Sequence, residues 1–277
     1  MREYSIFKDT IADMTYPEVE QAIRDGAIAL WALGVIEQHG PHLPLGTDVY
    51  VPMARLRRVR GILAGRGIQA LIVPAFYWGV NHVTGLFLGT FHLRPEVMLD
   101  VMVDTFRSLK KDGFQKAFCL SGHGDALHNR TVDAGVVRGR AETGLDAYVI
   151  LSEVLLKRLG LDPAQPHLVV TPNERTSGTF MDVHAGDWET SVVMAEYPDL
   201  VREKIARTLP ATDFGPADLA EWRQGGEHAR RKTPQGYLGN PAAADAERGA
   251  QDLEAESAAI AVAIQQTLER PAHQLPR

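Results

Sequence analysis

The stretch that decides the fold reads Ala27-Ile-Ala-Leu-Trp-Ala-Leu-Gly-Val-Ile36 and continues directly as Glu37-Gln-His39-Gly-Pro-His42-Leu-Pro-Leu-Gly-Thr-Asp48. Its first part is an uninterrupted apolar run, which is the pattern of a strand buried on both faces. Its second part is a Gly/Pro-rich loop that carries ionisable side chains. In open α/β sheets, ligands bind outside the carboxyl ends of the strands, so this loop is a candidate ligand site.

Further apolar runs predict more strands, and longer segments of helical character separate them. The strands are predicted at residues 70–75, 117–120, 147–151 and, from a weaker pattern, 168–171. The helices are predicted at residues 48–63, 94–112, 188–209 (kinked or broken around Pro198) and 245–268. This alternation favours a mostly parallel sheet with helices on both faces. We therefore predict a single three-layer α/β/α domain over residues 1–277, with a long loop at 225–241 and a frayed tail after about residue 270.

The composition narrows the class of protein. A formal net charge of -6 argues against sequence-independent binding to nucleic acid, which needs a basic face. No apolar run reaches the ~20 residues that span a bilayer, and the charged N-terminus resembles no signal peptide. The single cysteine, Cys119, fits a reducing compartment. We predict a soluble cytoplasmic protein that binds neither nucleic acid nor membrane.

The loop after the first strand carries a mixed set of oxygen and nitrogen donors. Glu37 and His39 are two residues apart, so both side chains leave an extended chain on the same face. Asp48 stands at the end of the Gly/Pro-rich loop and supplies a second carboxylate. Carboxylates together with imidazole suit zinc or manganese. Asp48 also fits the alternative of a helix N-cap, because Thr47-Asp48 precedes a predicted helix.

A second cluster, Ser121-Gly-His123-Gly124-Asp125, follows the apolar run 117–120. It repeats the arrangement of a buried strand followed by a histidine and a carboxylate. Parallel strands send their carboxyl ends to one edge of the sheet, so we expect His123 to meet Glu37 and Asp48 there. The flanking glycines let the backbone approach a ligand closely.

The third cluster is Asp182-Val-His184-Ala-Gly-Asp187-Trp188-Glu189-Thr-Ser191. Its acidic and hydroxyl residues also fit the start of a helix, where acidic side chains interact favourably with the helix dipole and hydroxyl groups can cap the first turn. His184 precedes a glycine turn and is a candidate general acid or substrate contact. Trp188 and His82 are candidates for shaping a substrate pocket. Core packing of Trp188 and a loop position of His82 are the alternatives.

Together these stretches resemble, in order, the signature motifs of the creatininase (creatinine amidohydrolase) family. The matching motifs are Leu33 to Asp48, Gly89-Thr90, Gly122-His123-Gly124, His184 to Ser191 and Gly239-Asn-Pro241. The resemblance runs from about residue 5 to residue 268, and its first motif is highly specific.

The resemblance implies two divalent metal ions, zinc or manganese with iron as a further option. Glu37, His39 and a bridging Asp48 match the family's ligands, and the Gly-His histidine is His123. Creatininases have Gly-His-Tyr-Glu-Asn where this chain has Gly-His-Gly-Asp-Ala, so Asp125 occupies the glutamate position with one methylene fewer. Asp125 and Glu189 are both candidates for the last ligand, and we prefer Glu189. The missing tyrosine and glutamate argue against creatinine as the substrate.

The activity implied is hydrolysis of a C–N bond in a small cyclic or linear amide by a metal-bound hydroxide. His184 would protonate the departing nitrogen, with Asp125 as a second candidate, and Gly124, Trp188 and His82 would contact the substrate. The alternatives are a formamide deformylase or a hydrolase of short peptide ends and, outside catalysis, a metal-stabilised binding protein. The family resemblance also implies a homo-oligomer, a hexamer.

Overall fold

The computed structural model describes residues 5–173 and 178–270, where a five-stranded sheet has the strand order β2-β1-β3-β4-β5. The strands are β1 (Ile28–Leu33), β2 (Ala70–Phe76), β3 (Lys116–Ser121), β4 (Asp146–Ser152) and β5 (Leu168–Thr171). All four neighbouring pairs are parallel. Every predicted strand is confirmed, although β1 ends at Leu33, three residues before the predicted Ile36. The predicted frayed tail after residue 270 lies outside the described residues.

Helices follow the strands in the chain and cover the sheet. They are α1 (Tyr16–Arg24), α2 (Thr47–Ala64), α3 (Pro95–Asp112), α4 (Ala126–Thr143), α5 (Glu153–Leu159), α6 (Asp187–Glu196), α7 (Glu203–Ala206), α8 (Pro216–Trp222), α9 (Gly226–Lys232) and α10 (Ala246–Leu268). Short 3-10 helices lie at Ile11–Asp13, Pro198–Leu200 and Pro241–Ala243. None of these described helices is both long and apolar enough to cross a membrane.

The alternation of side chains along β1 explains why this run is apolar throughout. Successive residues of a strand point to opposite faces of the sheet. Trp31 and its neighbours on one face pack with the apolar side chains of α3 and α4. Leu30 and its neighbours on the other face pack with those of α2 and α10. Both faces of β1 are therefore buried, and the predicted three-layer α/β/α class with a parallel sheet is confirmed.

The helices confirm the prediction in one place and differ from it in others. The predicted break near Pro198 is confirmed, because α6 ends at Glu196 and a 3-10 helix at Pro198–Leu200 separates it from α7. The predicted loop at 225–241 is wrong in its first part, which forms α9. Gly225 and Gly226 have φ of 74° and 56°, so the glycine pair that suggested a loop makes the tight entry to a helix. The helices α1, α4, α5 and α8 were not predicted.

Candidate metal centre

The site begins where β1 and β3 end side by side. Leu33 of β1 lies opposite Ser121 of β3, and the Gly122 amide donates a 2.9 Å hydrogen bond to the Leu33 carbonyl. The loop with Glu37 leaves β1 at this point, and His123 leaves β3. The adjacency of these two strands therefore brings together motifs that are far apart in the sequence.

Two glycines let the first turn of α2 approach these strand ends. A Cβ atom on Gly34 or on Gly122 would overlap the carbonyl oxygen of Asp48, and on Gly122 it would also lie 2.6 Å from Cγ of Pro52. Only a residue without a side chain fits at such a close approach. Asp48 is thereby held between the ends of β1 and β3, where only 2% of the residue is exposed.

Gly122→Ala is therefore expected to displace Asp48 and to weaken metal binding. Overpacking of this kind costs about 1–3 kcal/mol of stability. Displacing a group that positions a ligand costs about 10- to 100-fold in metal affinity. Metal titration by calorimetry and thermal unfolding measure the two effects.

Gly124→Ala is the matched control, because a Cβ atom at Gly124 meets nothing within 4 Å. We expect it to keep the metal affinity and the melting temperature of the parent protein. Equal metal affinities of the two alanine variants would contradict the role given to the close approach.

The carboxylate of Asp48 lies between two histidines. Its Oδ2 is 2.7 Å from Nδ1 of His123, and its Oδ1 is 3.3 Å from Nε2 of His39. Oε1 of Glu37 lies 3.0 Å from the same nitrogen of His123. Oε2 of Glu189 lies 3.8 Å from Nε2 of His39. The two oxygens of Asp48 thus face two separate sets of side chains that could be metal ligands.

Among the described residues, three groups of donor atoms are close enough together to hold a metal ion. They are Glu37 with Asp48 and His123, His39 with Asp48 and Glu189, and Glu37 with His39 and His184. The first two groups share Asp48 and use the five residues Glu37, His39, Asp48, His123 and Glu189. This arrangement could hold two divalent ions on the two sides of one carboxylate.

The clustered carboxylates of the site favour positive charge on the groups beside them. Burial opposes protonation of His39, but Asp48, Glu189 and Glu37 outweigh burial and raise the His39 pKa to about 10. His123 behaves in the same way, with burial outweighed by Glu37 and Asp48 so that its pKa lies well above the usual value. Burial disfavours the charged form of Asp48, yet His39 and His123 hold its pKa well below the usual value. The buried carboxylates are stable only beside cations.

The hydrogen bonding of His39 shows that the donors fit a metal. Its Nδ1 lies 3.1 Å from the Glu37 carbonyl oxygen, an acceptor, so Nδ1 carries the hydrogen in the neutral ring. Its Nε2 then faces the carboxylates and makes no hydrogen bond in the described structure. A buried polar atom without a partner costs about 1–3 kcal/mol. A divalent cation would satisfy this nitrogen, and the fixed tautomer is the one a metal ligand needs.

Three further groups hold the ligands in place. The Thr84 hydroxyl donates to Oε2 of Glu37. Asn129 donates to the His123 carbonyl at 2.7 Å, and the Ala185 amide donates to Oε2 of Glu189 at 2.5 Å. Sequence reasoning missed Thr84 and Asn129, because neither stands in a pattern that distinguishes it from an ordinary loop or helix residue.

Asp125 has a different environment from the other carboxylates. It is the N-cap of α4, and its Oδ1 accepts from the Leu127 amide at 2.7 Å. Its Oδ2 accepts from the amides of His82 at 2.8 Å and Val83 at 3.0 Å. Asp125 belongs to none of the three donor groups formed by the described residues. The geometry therefore favours Glu189 over Asp125 as the last ligand.

Exchanging each carboxylate for its amide separates the two candidates. Glu189→Gln is expected to lose one metal ion per chain, because the amide keeps the shape but not the charge. Asp125→Asn is expected to keep both ions but to lose about 1–3 kcal/mol of stability, because its amide nitrogen must face backbone N–H groups that the carboxylate accepts from. Inductively coupled plasma mass spectrometry counts the ions. Loss of an ion from Asp125→Asn alone would reverse the assignment.

His184 lies on the open side of the donor groups. Its Nε2 is 2.8 Å from the Gln38 carbonyl oxygen, an acceptor, and 3.1 Å from the side-chain amide nitrogen of Gln38, a donor, and the shorter contact favours a hydrogen on Nε2 in the neutral ring. Its Nδ1 lies 3.7 Å from Oε1 of Glu37, and its ring centre lies 4.4 Å from that of His39. Nδ1 of His184 therefore faces the site, where it can take up a proton and then pass it on.

One large cavity opens onto these groups. It has a volume of about 880 Å³ and is lined by Glu37, Asp48, His123, His184 and Glu189 together with apolar side chains. The predicted substrate contacts Gly124, His82 and Trp188 also line it. Trp188 is buried and has the Arg55 guanidinium 4.9 Å from its ring centre. Three lining residues that sequence reasoning missed are Arg158, Trp222 and Arg223.

The other histidine of the first motif has a structural position. His42 is fully buried, and its Nε2 lies 2.9 Å from the hydroxyl of Thr190 in α6. Burial, together with the nearby His39 and His184, lowers the His42 pKa to about 4. A neutral His42 therefore ties the motif loop to α6, the helix that carries Glu189.

Comparisons with known proteins agree with this geometry. Residues 12–264 match a family model described as creatininase, creatinine amidohydrolase. The chain is 27% identical over 270 residues to creatinine amidohydrolase of Pseudomonas putida, covering 92% of this chain and 96% of that protein. It is 30% identical over 222 residues to the mycofactocin precursor peptide peptidase of Mycobacterium tuberculosis, covering 78% and 76%. A solved structure named "Creatininase Mn" shares the fold with a TM-score of 0.71 at 22% identity, covering 95% of this chain and 99% of that one.

Proposed function

Because this chain belongs to the creatininase family of hydrolytic enzymes, we propose that it hydrolyses the C–N bond of an amide at a centre of two divalent metal ions. The observation that carries the proposal is the position of Asp48, whose two oxygens face the two donor groups that share it. Carboxylate and imidazole donors suit zinc or manganese, with iron as a third candidate.

The chain's own residues would bind the ions and move the proton. Glu37, Asp48 and His123 would hold one ion, and His39, Asp48 and Glu189 the other. Bound zinc or manganese ions lower the pKa of a coordinated water toward about 7 and polarise a carbonyl. Nδ1 of His184 would take up a proton that the attacking water releases and pass it to the departing nitrogen, while the Gln38 carbonyl keeps its Nε2–H in place.

The size of the cavity bears on the substrate. Ligand pockets range over about 300–1,000 Å³, and this cavity of about 880 Å³ lies near the upper end. Such a volume exceeds what one small ring fills. It leaves room for the second candidate function, cleavage at the end of a short peptide or of a substituted amide such as a formamide.

A substrate screen tests the proposed function. The metal-loaded enzyme would be assayed against cyclic amides, formamides, ureas and short peptides. We expect hydrolysis of at least one class, loss of that activity after chelation, and its return with zinc or manganese. A protein that binds both ions and hydrolyses none of the four classes would instead be a metal-stabilised binding protein.

We also propose that the protein is a homo-oligomer, a hexamer. Tyr77, Trp78 and Phe91 form an exposed aromatic patch in which the ring centres of Trp78 lie 5.1 Å from Tyr77 and 5.4 Å from Phe91. The same loop carries Leu88, which is 96% exposed. Contiguous exposed apolar side chains mark contact surfaces, and a second copy of this chain is the occupant that the family resemblance implies.

The double variant Trp78→Asp with Leu88→Asp is expected to run as a monomer, since a carboxylate buried in an apolar interface is strongly unfavourable. Light scattering coupled to size-exclusion chromatography gives the mass. Ile205→Asp is the control, because Ile205 is 41% exposed but lies on α7, outside the patch. An assembly unchanged by the double variant would exclude this patch as the interface.

A further inference from the structure

Two arginines, Arg158 and Arg223, line the cavity beside the candidate metal centre. Arg158, on α5, donates a hydrogen bond to the carbonyl of Gly124, the residue after His123. Arg223 follows Trp222, whose ring centre lies 6.0 Å from that of His184. Both arginines are lining residues of the same cavity. They therefore approach the site from the His123 side and from the His184 side.

Arg158 is half-buried and Arg223 is exposed, and both differ from Arg55, the buried arginine of the cavity, in having no ion-pair partner among the described residues. Arg55 lies 2.5 Å from Oε2 of Glu256 and over the ring of Trp188. Within residues 5–173 and 178–270, by contrast, no carboxylate lies within 4.0 Å of Arg158 or Arg223. Arg55 is thus held by its own structural partners, whereas the other two charges face the cavity without a carboxylate.

The environment of Arg158 makes its lack of a carboxylate costly. Its Nε is buried and makes no hydrogen bond in the described structure. Burial, and then the charge of Arg223, lower the Arg158 pKa to about 10, although the charge of Asp125 acts in the opposite direction, and burial also lowers the pKa of Arg223. A partly buried cation beside a second cation is unfavourable unless an anion joins them.

We propose that Arg158 and Arg223 together bind an anionic group of the substrate, so that the amide hydrolysed here carries a carboxylate or a phosphate at the end remote from the scissile bond. This inference rests on the proposed amide hydrolysis and adds the class of substrate. The planar fork of a guanidinium suits both anions, because each offers two oxygens to a pair of N–H donors. A neutral ring such as creatinine has no group for this part of the cavity.

The anion site can be tested without turnover. Succinate and inorganic phosphate would be titrated by calorimetry into the full chain after metal removal, so that neither anion can bind to an ion. We expect Arg158→Ala and Arg223→Ala each to weaken binding by about 10- to 100-fold, the contribution of charge-assisted hydrogen bonds. Arg158→Lys keeps the charge but not the paired N–H donors of the guanidinium, so we expect it to bind more tightly than Arg158→Ala and less tightly than the parent protein. The anion that binds more tightly identifies the group.

Arg230→Ala is the matched control, because Arg230 is an exposed arginine of α9 that does not line the cavity. It is expected to bind both anions as the parent protein does. The proposal would be overturned if Arg158→Ala and Arg223→Ala bound the anions as tightly as the parent protein does. It would also be overturned if Arg230→Ala lost as much anion affinity as they do.

A second measurement separates this proposal from the proposed function. Substrates found in the amide screen would be compared as the free acid and as the methyl ester. We expect the ratio of kcat/KM for acid over ester to fall by about 10- to 100-fold in Arg158→Ala and in Arg223→Ala. Hydrolysis with a ratio near one would refute the anion site alone. Arginine-dependent anion binding without hydrolysis of any amide would refute amide hydrolysis alone.

Discussion

Asp48→Asn is expected to release both metal ions and to lower kcat/KM by at least about 10³-fold. The asparagine keeps the shape of the side chain and its place against Gly34 and Gly122, but it removes the negative charge that both donor groups share. Both donor groups would lose the charge that they share, and bound ions would supply several kcal/mol of transition-state stabilisation, at 1.36 kcal/mol for each factor of ten in rate. Metal analysis and turnover of the best substrate give the two readouts.

A half-buried Asp–His pair provides the control for this variant. An oxygen of Asp133 lies 2.7 Å from Nε2 of His167, and neither residue lines the cavity. Asp133→Asn should therefore keep both ions and the parent turnover. An Asp48→Asn protein that still holds two ions would refute the shared-carboxylate centre.

His184→Asn is expected to lower kcat by about 10²- to 10⁴-fold with the metal content unchanged, which is the range for loss of a general acid. Asparagine is one atom too short to reach the Gln38 carbonyl, which His184 Nε2 contacts at 2.8 Å. Its amide takes the position of the Nδ1 atom that faces the site, but an amide cannot carry a proton to the departing nitrogen. Metal content and single-turnover kinetics on the same preparation separate proton delivery from metal binding.

His167→Asn serves as the matched control, because His167 is also a buried histidine but lies outside the cavity. It should leave turnover unchanged. Loss of an ion from His184→Asn would instead make His184 a ligand with Glu37 and His39, the third donor group. Unchanged turnover of His184→Asn would refute its role as the acid.

The strands were predictable because parallel strands covered on both faces read as plain apolar runs. Helix α4 shows where this reasoning fails. Its sequence contains Gly135 and Gly139, which resemble helix breakers. In the structure a Cβ on Gly135 would lie 2.7 Å from Sδ of Met102, and one on Gly139 would overlap the ring of Phe106. These glycines allow α3 and α4 to pack closely, and that tertiary reason is invisible in a local pattern.

The sequence could predict those site residues that the order of parallel strands brings together. Glu37, His39, Asp48 and His123 follow two neighbouring strands, so their convergence follows from a parallel sheet. The choice between Asp125 and Glu189 was open because the amides that bind Asp125 come from a loop 43 residues earlier in the chain. Arg158 was missed because an arginine on an amphipathic helix resembles an ordinary surface residue.

Anomalous diffraction from crystals grown with manganese or zinc tests the central claim most directly. We expect two peaks roughly 3.5–4 Å apart, one on each side of the Asp48 carboxylate, the spacing of catalytic metal pairs. One peak should contact Glu37 and His123, and the other His39 and Glu189. A single peak, or a peak at Asp125 with none between His39 and His123, would contradict the account.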